Sequence, residues 1–271
     1  NHFKNKKVLV TGNTGFKGSW LSLWLHLLGA KVIGVSKDVP TIPSHYKLNN
    51  KFYLKNEKFD LSNKKLITKI IKNIKPDYLF HLAAQPIVLE SYSDPYATYL
   101  SNTVGTLNIL ESLKESNHKC TAILITSDKC YENINKKVNY KENDRLGGLD
   151  PYSSSKASAE LIIRSYYESY FKTKASNVRI CSARAGNVMG GGDWAKYRIV
   201  PDCMKSWSEG KKVIIRNATS TRPWQHVLEP ISGYLILAKK LYRNPKIYSE
   251  SWNFGPQSNQ TKSVKEVIKI V

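Results

Sequence analysis

The sequence predicts an α/β protein with a doubly wound parallel sheet and a smaller, interleaved lobe towards its C-terminus. Apolar runs that resemble strands alternate with amphipathic segments that resemble helices through most of the chain, and this alternation is typical of parallel sheets. A glycine-rich turn follows the first strand-like run, where such a sheet passes into its first helix. A chain of 271 residues has room for one such unit and a small partner domain.

The first unit is strand, helix, strand. It opens with "KKVLVTG", a short apolar run that ends in glycine. The next segment is "FKGSWLSLWLHLLGA", whose apolar residues recur at helical spacing: Trp20, Leu21, Trp24, Leu25 and Leu28. The chain then returns to β-branched residues in "KVIGVS", which favour a strand.

The same alternation recurs along the chain. Three further helix and strand pairs follow: "NKKLITKIIKNIK" with "PDYLFHLAA", "TYLSNTVGTLNILESLKES" with "TAILITS", and "YSSSKASAELIIRSYYESYF" with "NVRICSARAGNV". After about residue 186 glycine, proline and loop residues become frequent, and short helices such as "VLEPISGYLILAKKLY" interrupt them. We therefore expect a sheet domain over 1–185, with segments near 228–255 returning to it, and a smaller lobe over 186–271.

The end of the sequence has the pattern of an unfinished helix. Apolar residues stand at helical spacing at Val264, Val267, Ile268 and Val271, and no glycine, proline or polar tail follows them. This pattern predicts that the lobe is truncated at its C-terminus.

The chain is strongly basic, with 42 Lys and Arg against 21 Asp and Glu and a net charge of +21. Such a charge can indicate an anionic partner, nucleic acid included. The lysines are scattered, however, and no run of like charges forms a basic arm. The excess of lysine is therefore better explained as a general feature of the composition than as a nucleic-acid-binding surface. Attraction of an anionic substrate is compatible with this explanation.

The cysteines and the apolar runs indicate the cellular compartment of the protein. Cys120, Cys130, Cys181 and Cys203 show no Cys-x-x-Cys spacing, which favours a reducing compartment such as the cytoplasm. No apolar run reaches the ~18 residues of a membrane span, and the N-terminus lacks a signal-peptide core. We expect no metal site.

The glycine-rich turn predicts a dinucleotide site. Gly12, Gly15 and Gly18 in "TGNTGFKG" allow a tight turn and a close approach of backbone N–H groups to a pyrophosphate, although a merely structural turn remains possible. Asp38, at the end of the second strand, could accept hydrogen bonds from ribose hydroxyls and favour NAD over NADP, or it could be ordinary loop charge. Asp60 is a second candidate for the adenine end, with a helix cap as its alternative.

Tyr152 and Lys156 form a Tyr-x-x-x-Lys pair, in which one helical turn brings an ammonium next to a phenol. A nearby cation lowers the pKa of a phenol, so the pair predicts removal of a proton from an alcohol during hydride transfer. Tyr170/Lys174 and Tyr242/Lys246 have the same spacing. The position of Tyr152, one strand and helix beyond the end of the Ser127 strand, distinguishes it.

The stretch "TSDKCYEN" places a hydroxyl, an acid and an amine where a buried strand should end. Ser127 can reach the same substrate hydroxyl as Tyr152. Asp128 and Lys129 are not needed for hydride transfer, but a proton donor beside an amine is suited to elimination of water. The alternative is a solvated turn in which Asp128 caps and Lys129 points to solvent.

Taken together, the motifs resemble the extended short-chain dehydrogenase/reductases, a Rossmann-type family, and within it the CDP-glucose 4,6-dehydratase branch. The resemblance runs essentially from end to end, and its most specific motifs are "TSDKCYEN", "GGGDW" and "RPWQHV". It implies a tightly held NAD, a lyase reaction that removes water from CDP-glucose, and a setting in deoxysugar synthesis for lipopolysaccharide O-antigen.

The resemblance also implies roles for individual residues. Ser127, Tyr152 and Lys156 would act on the C4 hydroxyl and Asp128 would be the acid for the C6 oxygen, whereas Lys129 stands where related dehydratases carry a glutamate base. The implied NAD site includes Gly12, Gly15, Phe16, Gly18, Asp38, Asp60, Leu61, Ala83, Ala84, Tyr152 and Lys156. The implied substrate site consists of Gln85, Asn187, Arg222 and His226, with a structural ion pair as the alternative for Arg222 and local packing or capping as the alternative for His226.

Two other functions stay open at this point. A nucleotide-sugar 4-epimerase would need Ser127, Tyr152 and Lys156 but no acid at Asp128. A non-catalytic NAD-binding regulator would need none of them. The helices over 94–116 and 152–172 resemble a dimer-forming pair, so a homo-oligomer (dimer or tetramer) is expected, although the same faces could be core.

Overall fold

The computed structural model describes residues 2–134, 139–215, 217–257 and 261–270. Its sheet contains the strands β1 (Lys7–Thr11), β2 (Lys31–Ser36), β3 (Lys55–Lys58), β4 (Tyr78–His81), β5 (Cys120–Ile125) and β6 (Val178–Ala185). Short strands follow: β7 (Val188–Met189), β8 (Thr221–Arg222), β9 (Gln225–His226), β10 (Ser251–Phe254) and β11 (Lys262–Ser263).

The helices connect these strands. In the first half they are α1 (Phe16–Leu27), α2 (His45–Leu48), α3 (Lys64–Ile74), α4 (Val88–Ser93), α5 (Pro95–Tyr99) and α6 (Gly105–Ser116). In the second half they are α7 (Pro151–Tyr166), α8 (Ile199–Ser208), α9 (Leu228–Arg243), α10 (Pro245–Tyr248) and α11 (Val264–Ile270). Val271, the last residue of the predicted terminal helix, lies outside the described residues.

The main sheet has seven strands in the order β10-β6-β5-β4-β1-β2-β3. All of its neighbouring strands pair in parallel. The order reverses between β1 and β4, which is where doubly wound sheets open a crevice for ligands. The predicted α/β fold class is therefore confirmed.

The side chains of each strand alternate between two cores. Val8 and Val10 of β1 pack with α1 and α9 on one face, and Leu9 packs with α3, α6 and α7 on the other. Strands buried on both faces read as continuous apolar runs, which explains why the sequence pattern predicted them. The parallel arrangement then brings the carboxyl ends of β1 to β6 to one edge, where the polar motifs follow.

The second half of the chain contributes to the same sheet. β10 pairs with β6 from Ser251↔Ser182 to Phe254↔Ala185, and α9 packs against the sheet. The segment predicted as one strand over 177–188 is instead β6 and β7, separated at Gly186 and Asn187. β7 leaves the main sheet and pairs with β9, while β8 pairs with β11.

Among the described residues, no helix combines the length and apolarity needed to cross a membrane. The four cysteines are buried, and each is a free thiol.

Candidate active site

A cleft of about 1840 Å³ runs along the carboxyl edge of the sheet. Every sequence-predicted site residue lines it, from the glycine turn at one end to Arg222 and His226 at the other. Its size suits a dinucleotide together with a second ligand, since pockets for single drug-sized ligands occupy ~300–1,000 Å³.

The glycine turn is packed too closely for any other residue. A Cβ on Gly12, whose φ is +74°, would lie 2.6 Å from the backbone N of Ala83, and a Cβ on Gly18 would lie 2.1 Å from the Gly12 carbonyl oxygen. Gly15 precedes α1 without a side-chain cap, and Phe16 is the first helical residue. The N–H groups of this helical turn, with the helix dipole behind them, form a cradle suited to a phosphate.

The predicted adenine end lies along β2 and β3. Asp38 is exposed at the rim, where its carbonyl accepts a 2.5 Å hydrogen bond from Thr14 Oγ1. Asp60 is half-buried, and its Oδ1 accepts from the backbone N of Ser62 at 2.9 Å. Burial acts to raise the pKa of Asp60, but hydrogen bonds from Ser62 and Lys37 outweigh burial and lower it, so this wall carries a carboxylate.

Asp60 does not cap the following helix. The cap of α3 is Asn63, whose side chain accepts from the backbone N of Leu66. Leu61 is buried in the core beneath the cleft.

The segment after β4 closes the middle of the cleft. Ala83 and Ala84 line it next to the glycine turn. Gln85 also lines the cleft. Its Nε2 donates to Ile87 O and Thr98 Oγ1, both at 3.0 Å, and its Oε1 accepts from the backbone N of Ile87. The amide therefore helps to shape its own loop, and its contact with substrate stays a prediction.

Ser127, Asp128 and Tyr152 come together at the centre of the cleft. The Ser127 hydroxyl donates to Asp128 Oδ1 at 3.0 Å and is hydrogen-bonded to the Tyr152 phenol. A Cβ built on Gly186 would lie 3.4 Å from Asp128 Oδ2, so the carboxylate faces the end of β6. Asp128 is half-buried and lines the cleft, which is not the solvated turn of the alternative interpretation.

The α7 helix carries Tyr152 and Lys156 into the cleft. Asp150 caps it by accepting from Ser153 N at 2.9 Å, and Pro151 stands in its first turn, a typical helix start. Burial lowers the pKa of Lys156 to about 8, and the charge of Glu160 opposes this change. Burial raises the pKa of Tyr152 to about 12, although its hydrogen bond with Ser127 acts to lower it. The net shift of the Tyr152 pKa is therefore upwards, opposite to the expected lowering by a nearby ammonium, because desolvation of the phenol dominates.

Lys129 lines the cleft beside Asp128 and is half-buried. Its backbone N donates to Ser127 Oγ at 3.2 Å, which forms the short helical turn after β5. The other two Tyr-x-x-x-Lys pairs lie elsewhere. Tyr170 is 46% exposed, and the Tyr242 ring packs against those of His2 and Tyr78.

The substrate end is assembled from segments far apart in sequence. Pairing of β7 with β9 places Val188 opposite Gln225 and Met189 opposite His226. Asn187 is exposed at the start of β7, and Arg222 ends β8 with its guanidinium donating to Thr221 O at 2.7 Å. His226 is exposed, and its Nδ1 accepts from the backbone N of Leu228 at 3.3 Å.

Several cations that line the cleft were missed by the sequence analysis, among them Lys17 and Arg198. Lys17 follows Phe16 in the first turn of α1, and its Nζ lies 3.5 Å from the Tyr234 hydroxyl. Burial, then the charges of Arg198 and Lys156, lower the Lys17 pKa to about 8. Arg198 pairs with Asp193 Oδ2 at 3.0 Å. A cationic residue directly after the glycine turn was the available signal for Lys17, whereas the position of Arg198 depends on tertiary structure.

Residues 9–265 match the family model described as GDP-mannose 4,6 dehydratase. The chain belongs to this family. A relative named CDP-glucose 4,6-dehydratase, from Salmonella typhimurium (strain LT2), is 45% identical over 274 aligned residues, which cover 99% of this chain and 76% of the relative. The family resemblance predicted from the motifs is therefore confirmed.

Solved structures of family proteins share the fold. An epimerase from Methanothermobacter thermautotrophicus has a TM-score of 0.83 at 27% identity, over 99% of this chain and 76% of its own. A dTDP-glucose 4,6-dehydratase from Bacillus anthracis, solved with NAD, has a TM-score of 0.79 at 24% identity, over 97% of this chain and 79% of its own.

Proposed function

We propose that the chain is a hydro-lyase that converts CDP-glucose to CDP-4-dehydro-6-deoxyglucose and water, with a tightly held NAD. The observation that carries the proposal is the Asp128 carboxylate, which lies in the cleft with Ser127 hydrogen-bonded to it and exerts its charge on Tyr152. An epimerase has no use for this acid. The relative with 45% identity, named for the same reaction, supports the proposal.

The residues present fit a dinucleotide. Gly12, Gly15 and Gly18 add no side chain at the start of α1, where a pyrophosphate would accept from backbone N–H groups. Asp38 and Asp60 lie beyond it at the ends of β2 and β3, where ribose hydroxyls would need acceptors. Bound there, NAD would supply the acceptor for a hydride from the sugar C4 and the donor of a hydride to C6.

Tyr152 accepts the proton of the C4 hydroxyl as the C4–H bond breaks, and Ser127 holds the same oxygen. Lys156 provides a positive charge that favours the deprotonated phenol. The C4 ketone that results makes the C5 proton acidic. Its removal and the breaking of the C6–O bond, with Asp128 donating a proton to the departing oxygen, produce water. Lys129, beside Asp128 in the cleft, is our candidate base at C5.

The substrate diphosphate binds towards Asn187 and Arg222. A guanidinium forms paired hydrogen bonds that suit phosphate oxygens, and Lys17 and Arg198 add positive charge to the same cleft. We place this lobe over 186–271, with the segments near 228–255 returning to the NAD-binding domain over 1–185.

We further propose a cytoplasmic homo-oligomer in deoxysugar synthesis. The free thiols suit a reducing compartment. Large side chains are exposed on the helices predicted to pair, with Tyr96 on α5 at 76% and Leu161 on α7 at 57% exposure.

The test is turnover of CDP-glucose by the chain and by Asp128→Asn, with the keto product detected by its absorbance in alkali. We expect product from the wild type and a loss of ~10²-fold or more in Asp128→Asn, because an amide cannot donate the required proton. Asp144→Asn is the control, since this aspartate accepts from Lys141 N in a loop outside the cleft. Undiminished keto product from Asp128→Asn would contradict the role of Asp128 as the acid. Conversion of CDP-glucose by the wild type without keto product would contradict the dehydratase assignment and favour the epimerase.

A further inference from the structure

A buried ion pair lies behind the active site. Glu160 on α7 and Arg184 on β6 are 1% and 3% exposed in their side chains, and Oε2 lies 2.7 Å from Nη2. Burial acts to lower the pKa of Arg184, but the hydrogen bond and charge of Glu160 outweigh it. Buried ion pairs contribute little to stability, because both charges lose their hydration. The pair joins α7, the helix that carries Tyr152 and Lys156, to the sheet, which indicates a role other than stability.

The Glu160 carboxylate connects three strands to the helix. Its Oε2 also accepts from Ser182 Oγ on β6 at 2.8 Å and from Ser251 Oγ beside it on β10 at 3.1 Å. Its Oε1 accepts from the hydroxyl of Thr126, which immediately precedes Ser127. A single carboxylate therefore fixes α7, which bears Tyr152, against the strand end that bears Ser127.

The same carboxylate lies one helical turn beyond Lys156, on the same face of α7. The other groups near Lys156 are Tyr152 on its own helix, Cys130 after β5, His81 on β4 and Lys17 on α1. Burial raises the pKa of the Cys130 thiol. Burial, and to a smaller extent the charge of Lys156, lowers the pKa of His81 to about 3. Both groups are therefore neutral at physiological pH. Lys17 is basic. Glu160 is the anion that acts on Lys156 among the described residues.

We propose that Glu160 is a positioning residue for the dehydratase: it aligns Tyr152 with Ser127 and keeps Lys156 in its cationic form, while Arg184 balances its charge. The inference rests on the proposed function, because alignment of these groups matters only if they act together on a sugar.

The experiment compares Glu160→Gln and the double variant Glu160→Gln/Arg184→Met with the wild type. The neutral fraction of Lys156 is measured against pH by competitive acetylation and mass spectrometry of its peptide, which needs no activity. Turnover of CDP-glucose is measured over the same pH range. Glu111→Gln is the matched control, since Glu111 forms its ion pairs with Lys64 and Lys114 on the outer helices.

We expect the labelling midpoint of Lys156 and the alkaline limb of turnover to move down by about one pH unit in Glu160→Gln, and not in Glu111→Gln. The double variant should melt closer to the wild type, because it contains no unpaired buried charge, and should shift the midpoint in the same direction by less, because the charge of Arg184 is removed with that of Glu160. A folded variant with the wild-type midpoint would overturn the inference. Absence of product from the wild type would refute the proposed function instead, while the labelling would still decide the effect on Lys156.

Discussion

At the scale of single residues, burial sets the direction of the pKa shifts of Lys17, Tyr152 and Lys156 at the centre of the candidate site. The sequence indicated that Ser127 and Tyr152 meet, because Ser127 follows a recognisable strand and Tyr152 opens a helix. It could not indicate their desolvation, which depends on how α7 packs against the sheet. This is why the sign of the Tyr152 pKa shift was predicted wrongly, and why the engagement of Gln85 in its own loop was not foreseen.

Asp60→Asn should weaken NAD binding without unfolding the protein. The amide oxygen can still accept from Ser62 N, but the negative charge that would accept from the adenosine end is lost. A hydrogen bond to a charged group contributes ~1.5–3 kcal/mol, so we expect the Kd for NAD to rise about tenfold or more by calorimetric titration.

The control is Asp77→Asn, which removes a carboxylate that accepts from Lys7 N and pairs with Lys6 at the opposite end of the strands. Equal affinity of Asp60→Asn and wild type for NAD would exclude Asp60 from the cofactor site.

At the scale of elements, apolar runs and helical periodicity were sufficient to predict β1, β2, β4, β5 and β6 together with α1, α3, α6 and α7. They were insufficient for β7, β8, β9 and β11, because a two-residue strand has no periodicity of its own. These strands form only when distant segments meet, and they are the elements that bring Asn187 to Arg222 and His226. The sequence therefore predicted the cofactor half of the site better than the geometry of the substrate half.

Gly18→Ala should disrupt the junction between β1 and α1. The added methyl group would lie 2.1 Å from the Gly12 carbonyl, and backbone must shift to accommodate it. Overpacking of this kind costs ~1–3 kcal/mol, so we expect a lower free energy of unfolding in urea and weaker NAD binding. Gly255→Ala is the control, because a Cβ there meets no atom within 4 Å. If both variants unfold like the wild type, the glycine turn is not the close-packed cradle described here.

At the scale of the whole molecule, the net charge of +21 should influence how fast an anionic substrate arrives. A nucleoside diphosphate sugar is attracted over a range set by the Debye length, ~8 Å at physiological ionic strength. We expect kcat/KM for CDP-glucose to fall severalfold between low salt and about 0.15 M ionic strength, with kcat nearly unchanged. An uncharged osmolyte at equal osmolarity is the control. A kcat/KM that does not respond to salt would show that the scattered lysines do not steer the substrate.

The central claim is that one cleft moves a hydride within one sugar and removes water between the two transfers. The most direct measurement follows deuterium from C4 of labelled CDP-glucose by NMR of the product. The proposed function predicts that the label appears at C6 of the 4-keto product, even when unlabelled substrate is mixed in. Deuterium that remains at C4 of an epimerised sugar, or that is lost to solvent, would contradict it.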